Sequence, residues 1–160
     1  MSVWWSLQLR REAASVPLAR KLLLGALESA GVDEEVAYEL SVALTEACAN
    51  AVEHGVRSSG EPQDVYRVTA YLDGDRCRIE VADSGPGFRG RYSRLARRAR
   101  SVLPVDRTAE AECGRGLCMI ESLADHVRLH DRPGRGGAVV SFDKVLKWQQ
   151  GSTRPLLKAG

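Results

Sequence analysis

Two hydrophobic periods, of about two and about 3.6 residues, succeed each other in the first third of the chain. Trp4–Arg10 alternates apolar and polar side chains, which predicts a strand. A helix is then predicted, with Ser15 as its N-cap, Pro17 in its first turn and Gly31 at its end. Its apolar positions recur at helical spacing: Leu18, Leu22, Leu23, Ala26, Leu27 and Ala30.

A second helix and a hairpin are predicted next. Asp33, followed by two glutamates, is a favourable start for a helix that runs to about His54 and stops at a glycine. Val65–Leu72 and Arg76–Ala82 alternate as strands do, and the Asp-Gly-Asp between them favours a tight turn.

The remainder of the chain predicts a long loop, a short helix and a final hairpin. Residues 88–113 are irregular, and a loop of that length in a compact domain is usually a lid, a binding loop or a disordered segment. Leu117–Ala124 is predicted as a helix, and His126–His130 and Ala138–Phe142 as paired strands. Residues 146–160 form a basic tail that is expected to be poorly ordered.

This order of elements predicts a two-layer α/β sandwich, with a mixed or antiparallel sheet and its helices on one face. A length of 160 residues fits a single domain, placed at residues 1–145. The formal net charge of +2 is too small to indicate nucleic-acid binding. No apolar run is long enough to span a membrane and no signal-peptide pattern is found, so a cytoplasmic location with reduced cysteines is expected.

The second helix carries polar side chains that could perform chemistry. Glu46, Asn50 and His54 are four residues apart and share one helical face. An amide oxygen together with phosphates is sufficient to hold Mg²⁺, and a nearby carboxylate could accept a proton from an attacking hydroxyl. The alternative is a polar stripe that only faces water.

Two glycine-rich segments could bind a ligand. Residues 83–87 (DSGPG) follow a predicted strand, where glycines allow close approach of the backbone and the aspartate can accept a hydrogen bond from an amine. Residues 114–117 (GRGL) open a predicted helix, whose first N–H groups attract phosphate. Taken singly, the first is also compatible with an ordinary turn and the second is weak evidence.

The three signals together resemble the motifs of the GHKL (Bergerat-fold) ATPase superfamily. Residues 46–55 are similar to its N-box, residues 83–88 to its G1 box and residues 114–117 to its G2 box. Within that superfamily, the short chain and the His-Gly end of the N-box resemble the bacterial anti-sigma-factor serine kinases. The resemblance implies the Bergerat fold, with residues 88–113 as an ATP lid.

The same resemblance implies a role for each motif residue. Glu46 would be the general base, Asn50 would bind Mg²⁺, and Asp83 would bind the adenine amine of ATP. His54 would support the site without reacting. The nucleotide-binding residues would be Asn50, Asp83, Gly85, Gly87, Gly114, Arg115, Gly116 and Leu117.

The implied function is an anti-sigma-factor kinase that sequesters a sigma factor and phosphorylates a serine of an anti-anti-sigma antagonist. The resemblance is also compatible with a homodimer. Two departures favour an alternative, a catalytically weak ATP- or ADP-binding module that only binds a partner protein. Ala138 follows the paired glycines where relatives often have Thr, and Glu112 stands where some carry a basic residue.

Seven arginines lie between the two glycine motifs, and they are interpreted as part of a lid that closes over phosphates. A solvated loop is the simpler alternative. A nucleic-acid patch is disfavoured because Tyr92 is the single aromatic residue among these arginines.

Overall fold

The computed structural model describes residues 2–54, 65–85, 116–132 and 137–151. Within these ranges the chain forms three helices and five strands. In chain order they are β1 (Ser2–Arg10), α1 (Ser15–Ala30), α2 (Glu34–His54), β2 (Val65–Asp73), β3 (Arg76–Ala82), α3 (residues 116–123), β4 (His126–Asp131) and β5 (Ala138–Val145).

The five strands form one sheet in the order β1-β2-β3-β5-β4, and every neighbouring pair is antiparallel. The α/β fold class predicted from the sequence is confirmed, and the sheet is purely antiparallel rather than mixed. The hairpin turn between β2 and β3 contains Gly74 with φ 60°, a left-handed conformation that glycine adopts without strain.

A single hydrophobic core lies between one face of the sheet and the helices. β2 and β3 alternate buried with more exposed positions, as strands do when one face is covered. In β1, Leu9 is buried and Trp5 and Leu7 pack against the same core, as the sequence predicts. From α3, Ile120 is fully buried in this core, so all three helices contribute to one hydrophobic layer.

The predicted start of α2 is confirmed, whereas the predicted cap of α1 is wrong. Asp33 accepts hydrogen bonds through Oδ1 from the N–H groups of Glu35 and Val36, which are otherwise unpaired in the first turn. The N-cap of α1 is Ala14, which makes no side-chain cap, and Ser15 is already the first helical residue. The Ser15 hydroxyl turns back to donate to the Glu12 carbonyl, 2.7 Å away.

On the outer face of the sheet, a charged cluster links three neighbouring strands. Arg76 of β3 and His126 of β4 both contact the carboxylate of Asp143, which lies on β5 between them. Partial burial alone would raise the pKa of Asp143, but the hydrogen bonds from His126 and Arg76 hold it below its ordinary value. The cluster therefore helps to hold the edge strand β4 in place.

The domain extends past residue 145, where the sequence-based boundary was placed. Leu146 is buried, and Trp148 forms an isolated β-bridge with Val32 in the turn between α1 and α2. The backbone of that turn also bonds to the segment after β5: Asp33 N–H donates to the Lys147 carbonyl, and Gln149 N–H donates to the Gly31 carbonyl. The start of the predicted tail is thus packed against the domain, and residues 152–160 lie outside the described part.

In the described ranges, no helix combines the length and the apolar character that crossing a membrane requires.

Candidate functional site

Buried polar contacts hold the middle of α2 at one end of the sheet. Tyr66 of β2 shares a 2.6 Å hydrogen bond with the Ser15 hydroxyl and also bonds to the thiol of Cys48 on α2. Burial raises the pKa of both Cys48 and Tyr66 to about 12, so both groups remain protonated at neutral pH. In the sheet, Arg67 of β2 pairs with Ala82 of β3. Tyr66, and with it the helical turn of α2 that contains Cys48, therefore lies near the end of β3 that leads into Asp83.

Glu46 and Gly116 lie against each other, although 70 positions separate them in the chain. A Cβ atom placed on Gly116 would lie 3.1 Å from Glu46 Oε2. This contact brings the carboxylate of the first predicted motif to the start of α3, where the second glycine motif ends. Leu117, the next residue of that motif, is half-buried and packs against the hydrophobic core.

Asp83 is buried at the end of β3, and its orientation is fixed by the backbone. Its Oδ1 atom accepts hydrogen bonds from the N–H groups of Gly85, 2.9 Å away, and Ala138, 3.2 Å away. Its own N–H donates to the Ala138 carbonyl at 3.0 Å. Two N–H groups, on two chain segments, therefore orient the carboxylate, and a third hydrogen bond fixes the backbone of Asp83.

Gly137 makes this arrangement possible, and sequence reasoning did not assign it a role. Its φ of 113° is disfavoured for other residues, and a Cβ atom there would lie 2.1 Å from the Asp83 carbonyl oxygen. The sequence did offer a signal for this glycine, the pair Gly136 and Gly137 before the last strand. The sequence analysis used this pair only to note that Ala138 follows it where relatives often have Thr. Ala138 itself is buried and holds Asp83 through its main chain.

Asn50 and His54 lie one and two turns beyond Glu46 on α2. His54 is the last residue of the helix, and its Nε2 lies 3.6 Å from a carboxylate oxygen of Glu53. The guanidinium of Arg11 donates to the Val52 carbonyl at 2.9 Å, which ties this end of α2 to the chain after β1. Of the predicted site residues, Gly87, Gly114 and Arg115 lie outside the described residues, as do the predicted lid and Glu112.

Comparison with known proteins identifies the family. Residues 9–144 match the model of the histidine kinase-like ATPase domain. The chain belongs to this family. The GHKL membership predicted from the three motifs is therefore confirmed.

Curated members of the family resemble this chain over most of its length. The serine-protein kinase RsbW of Listeria monocytogenes serovar 1/2a is 32% identical over 129 residues, which are 78% of this chain and 78% of the relative. The serine-protein kinase RsbW of Staphylococcus aureus is 28% identical over 144 residues, covering 86% of this chain and 84% of the relative.

Solved structures support the fold. A crystal structure of the RsbU and RsbW domains of a Mycobacterium tuberculosis protein matches with a TM-score of 0.58 and 23% identity. The match covers 89% of this chain and 32% of that longer chain. The SiaB-SiaC complex of Pseudomonas aeruginosa contains a chain that matches with a TM-score of 0.53 and 16% identity, covering 89% of this chain and 90% of that one.

The contact between Gly116 and Glu46 leads to a first prediction. Gly116→Ala should lower phosphoryl transfer by about tenfold, because the added methyl displaces the Glu46 carboxylate by a few tenths of an ångström. Stability should change little, because Gly116 is the first residue of α3, where the preference of helix interiors for alanine applies only in part. Transfer of labelled phosphate and thermal unfolding measure the two effects.

A matched control is Gly25→Ala in α1, where an added methyl contacts nothing within 4 Å. It should stabilise the helix by about 1 kcal/mol and leave transfer unchanged. Equal transfer rates for both alanine variants and the unmodified protein would contradict a role of the contact between Gly116 and Glu46 in phosphoryl transfer.

Proposed function

We propose that this protein is an ATP-dependent serine kinase that acts on a partner protein in the cytoplasm. The observation that carries the proposal is the contact between Glu46 on α2 and Gly116 at the start of α3. The start of a helix can bind phosphate, and a carboxylate beside it could accept the proton of a hydroxyl group that attacks this phosphate. The serine-protein kinases among the curated relatives support the same reaction.

The described residues fit an adenine nucleotide. Asp83 has one oxygen committed to backbone N–H groups, which orients its carboxylate to accept a hydrogen bond from the exocyclic amine of adenine. Gly116 itself places no side chain between the Glu46 carboxylate and the backbone of α3, and the N–H groups at a helix start attract phosphate oxygens. Gly87, Gly114 and Arg115 are proposed to complete the binding site.

Asn50 is the proposed protein ligand of Mg²⁺, since an amide oxygen together with phosphate oxygens suits this cation. When bound, the metal would neutralise charge on the phosphates during transfer. The role of Glu46 is to accept the proton of the serine hydroxyl as that oxygen attacks the γ-phosphorus, while the bond from this phosphorus to the β–γ bridging oxygen breaks and ADP leaves. The remaining contribution of the chain is positioning, with His54 proposed as a supporting residue at the end of α2.

The proposed partners are a sigma factor, which the protein would sequester, and an anti-anti-sigma antagonist, which it would phosphorylate on serine. The RsbW kinases among its relatives support this assignment, and a homodimer is proposed as the working assembly.

The test combines calorimetry with labelled phosphate transfer. Mg-ATP titrated into the protein should release or absorb measurable heat, and γ-labelled ATP should label a candidate antagonist but not its serine-to-alanine variant. Asp83→Asn should weaken ATP binding, because an amide has a single acceptor oxygen. With that oxygen on the two backbone N–H groups, the NH₂ donor would face the adenine amine, which is also a donor. Absence of any binding would refute the proposal.

The alternative is a nucleotide-binding regulatory module without transfer, and Ala138 is the observation that favours it. Its methyl group is buried where a hydroxyl could have contacted the nucleotide. Tight Mg-ATP binding and partner binding with no labelled product, across all candidate antagonists, would support this alternative over the kinase.

A further inference from the structure

Helix α3 is connected to α2 at both of its ends. At its start, Gly116 lies against the carboxylate of Glu46. At its end, the carbonyl of Leu123 accepts a hydrogen bond from Lys144 Nζ, 2.8 Å away. The same ammonium group is 2.8 Å from Oε2 of Glu39, on α2. Lys144 therefore bridges the two helices at the end opposite to the proposed reaction site.

The two contact points between α2 and α3 are the same distance apart on both helices. Glu39 and Glu46 are two turns apart on α2, and Gly116 and Leu123 are two turns apart on α3. At the helical rise, both pairs span about 10 Å along their helices. Because Glu39 lies nearest the end of α3 and Glu46 nearest its start, the helices run antiparallel. A shift of α3 along its axis would therefore change both contacts at once.

Lys144 occupies the helix-facing side of β5. It follows Val140 and Phe142 at alternate positions, and both of these are buried in the core. The Lys144 and Glu39 side chains are only 17% and 29% exposed, so water screens their interaction less than that of a surface pair. The ammonium also satisfies a carbonyl at the end of α3, where a helix favours positive charge.

We propose that Lys144, with Glu39, is a positioning residue that sets where α3 lies along α2, and hence where its first turn meets the phosphates of ATP. The inference rests on the proposed function. It assigns no contact between Lys144 and the nucleotide, since the bridge acts through α3. The hydrogen bonds from Asp125 N–H to the Asp143 carbonyl and from Val145 N–H to Asp125 Oδ2 keep the following segment in place without Lys144.

The test is Lys144→Met, which keeps the apolar stem of the side chain and removes its ammonium. Titrations with ATP and with adenosine separate the phosphate end of the site from the adenine end. ATP affinity should fall about tenfold, whereas adenosine affinity should stay unchanged. A merely structural role would lower both affinities together with the folded fraction, and that result would overturn the proposal.

Lys147→Met is the matched control, because Lys147 lines the same surface depression but is exposed. It should bind both ligands as the unmodified protein does. Lys144→Arg should recover most of the ATP affinity, since its guanidinium can donate to both the carbonyl and the carboxylate. Failure of Arg to recover any affinity would also count against a role in positioning.

Glu39→Gln, alone and combined with Lys144→Met, keeps the proposal testable if the single lysine variant folds poorly. The double variant should lose no more ATP affinity than Lys144→Met alone, because both changes remove one bridge. If the unmodified protein binds neither ATP nor adenosine, the proposed function fails. If it binds both and Lys144→Met does so equally well, only the positioning role fails.

Discussion

Glu46→Gln should reduce phosphoryl transfer by at least about 100-fold, the usual contribution of a positioned general base. Glutamine keeps the size of the side chain and its place beside Gly116, but it cannot accept the serine proton. ATP affinity should change little, because the role proposed for the carboxylate is on the attacking hydroxyl and not on the nucleotide. Single-turnover transfer with saturating Mg-ATP, together with calorimetry, measures both quantities.

Glu53→Gln is the appropriate control, because Glu53 belongs to the same helix but its side chain is 75% exposed. That variant removes the same charge from α2 and should transfer phosphate at the unmodified rate. A Glu46→Gln protein that keeps more than about a tenth of the unmodified rate would rule out general-base catalysis by this residue.

Gly137→Ala should both destabilise the protein and abolish nucleotide binding. A φ of 113° is strained for alanine, and its Cβ would lie 2.1 Å from the carbonyl oxygen of Asp83. The strain alone costs about 1–3 kcal/mol. Relief of the overlap must move the Asp83 backbone, so the free energy of unfolding should fall by about 3 kcal/mol or more. Urea denaturation and calorimetry with ATP check the two effects.

Gly151→Ala separates the two causes, because Gly151 also has a positive φ, of 93°, but open space at the Cβ position. In this variant the free energy of unfolding should fall only by the cost of the backbone strain, because the added methyl overlaps with no other atom. Its ATP affinity should stay unchanged. If Gly137→Ala is no less stable than Gly151→Ala and binds ATP normally, the close packing of Gly137 on Asp83 is not required for the site.

Much of the local structure followed from the sequence because its causes are local. Asp33 caps α2 through hydrogen bonds to residues two and three positions away. Ser15 shows the limit of such reasoning. Its hydroxyl forms hydrogen bonds with the Glu12 carbonyl and with Tyr66, 51 positions away, instead of capping the helix. Leu146 and Trp148 are a second example, because the basic composition of residues 146–160 gave no indication that the first of these residues pack on the domain.

The alternation of strands and helices, the α/β class and the family could all be predicted from the amino-acid sequence, because hydrophobic period and motif spacing are local patterns. The contacts of Glu46 with Gly116, of Gly137 with Asp83, and of Lys144 with α2 and α3 could be seen only in the folded protein. Each of these contacts joins residues far apart in the chain. They depend on how the sheet and the helices pack together, which no local pattern specifies.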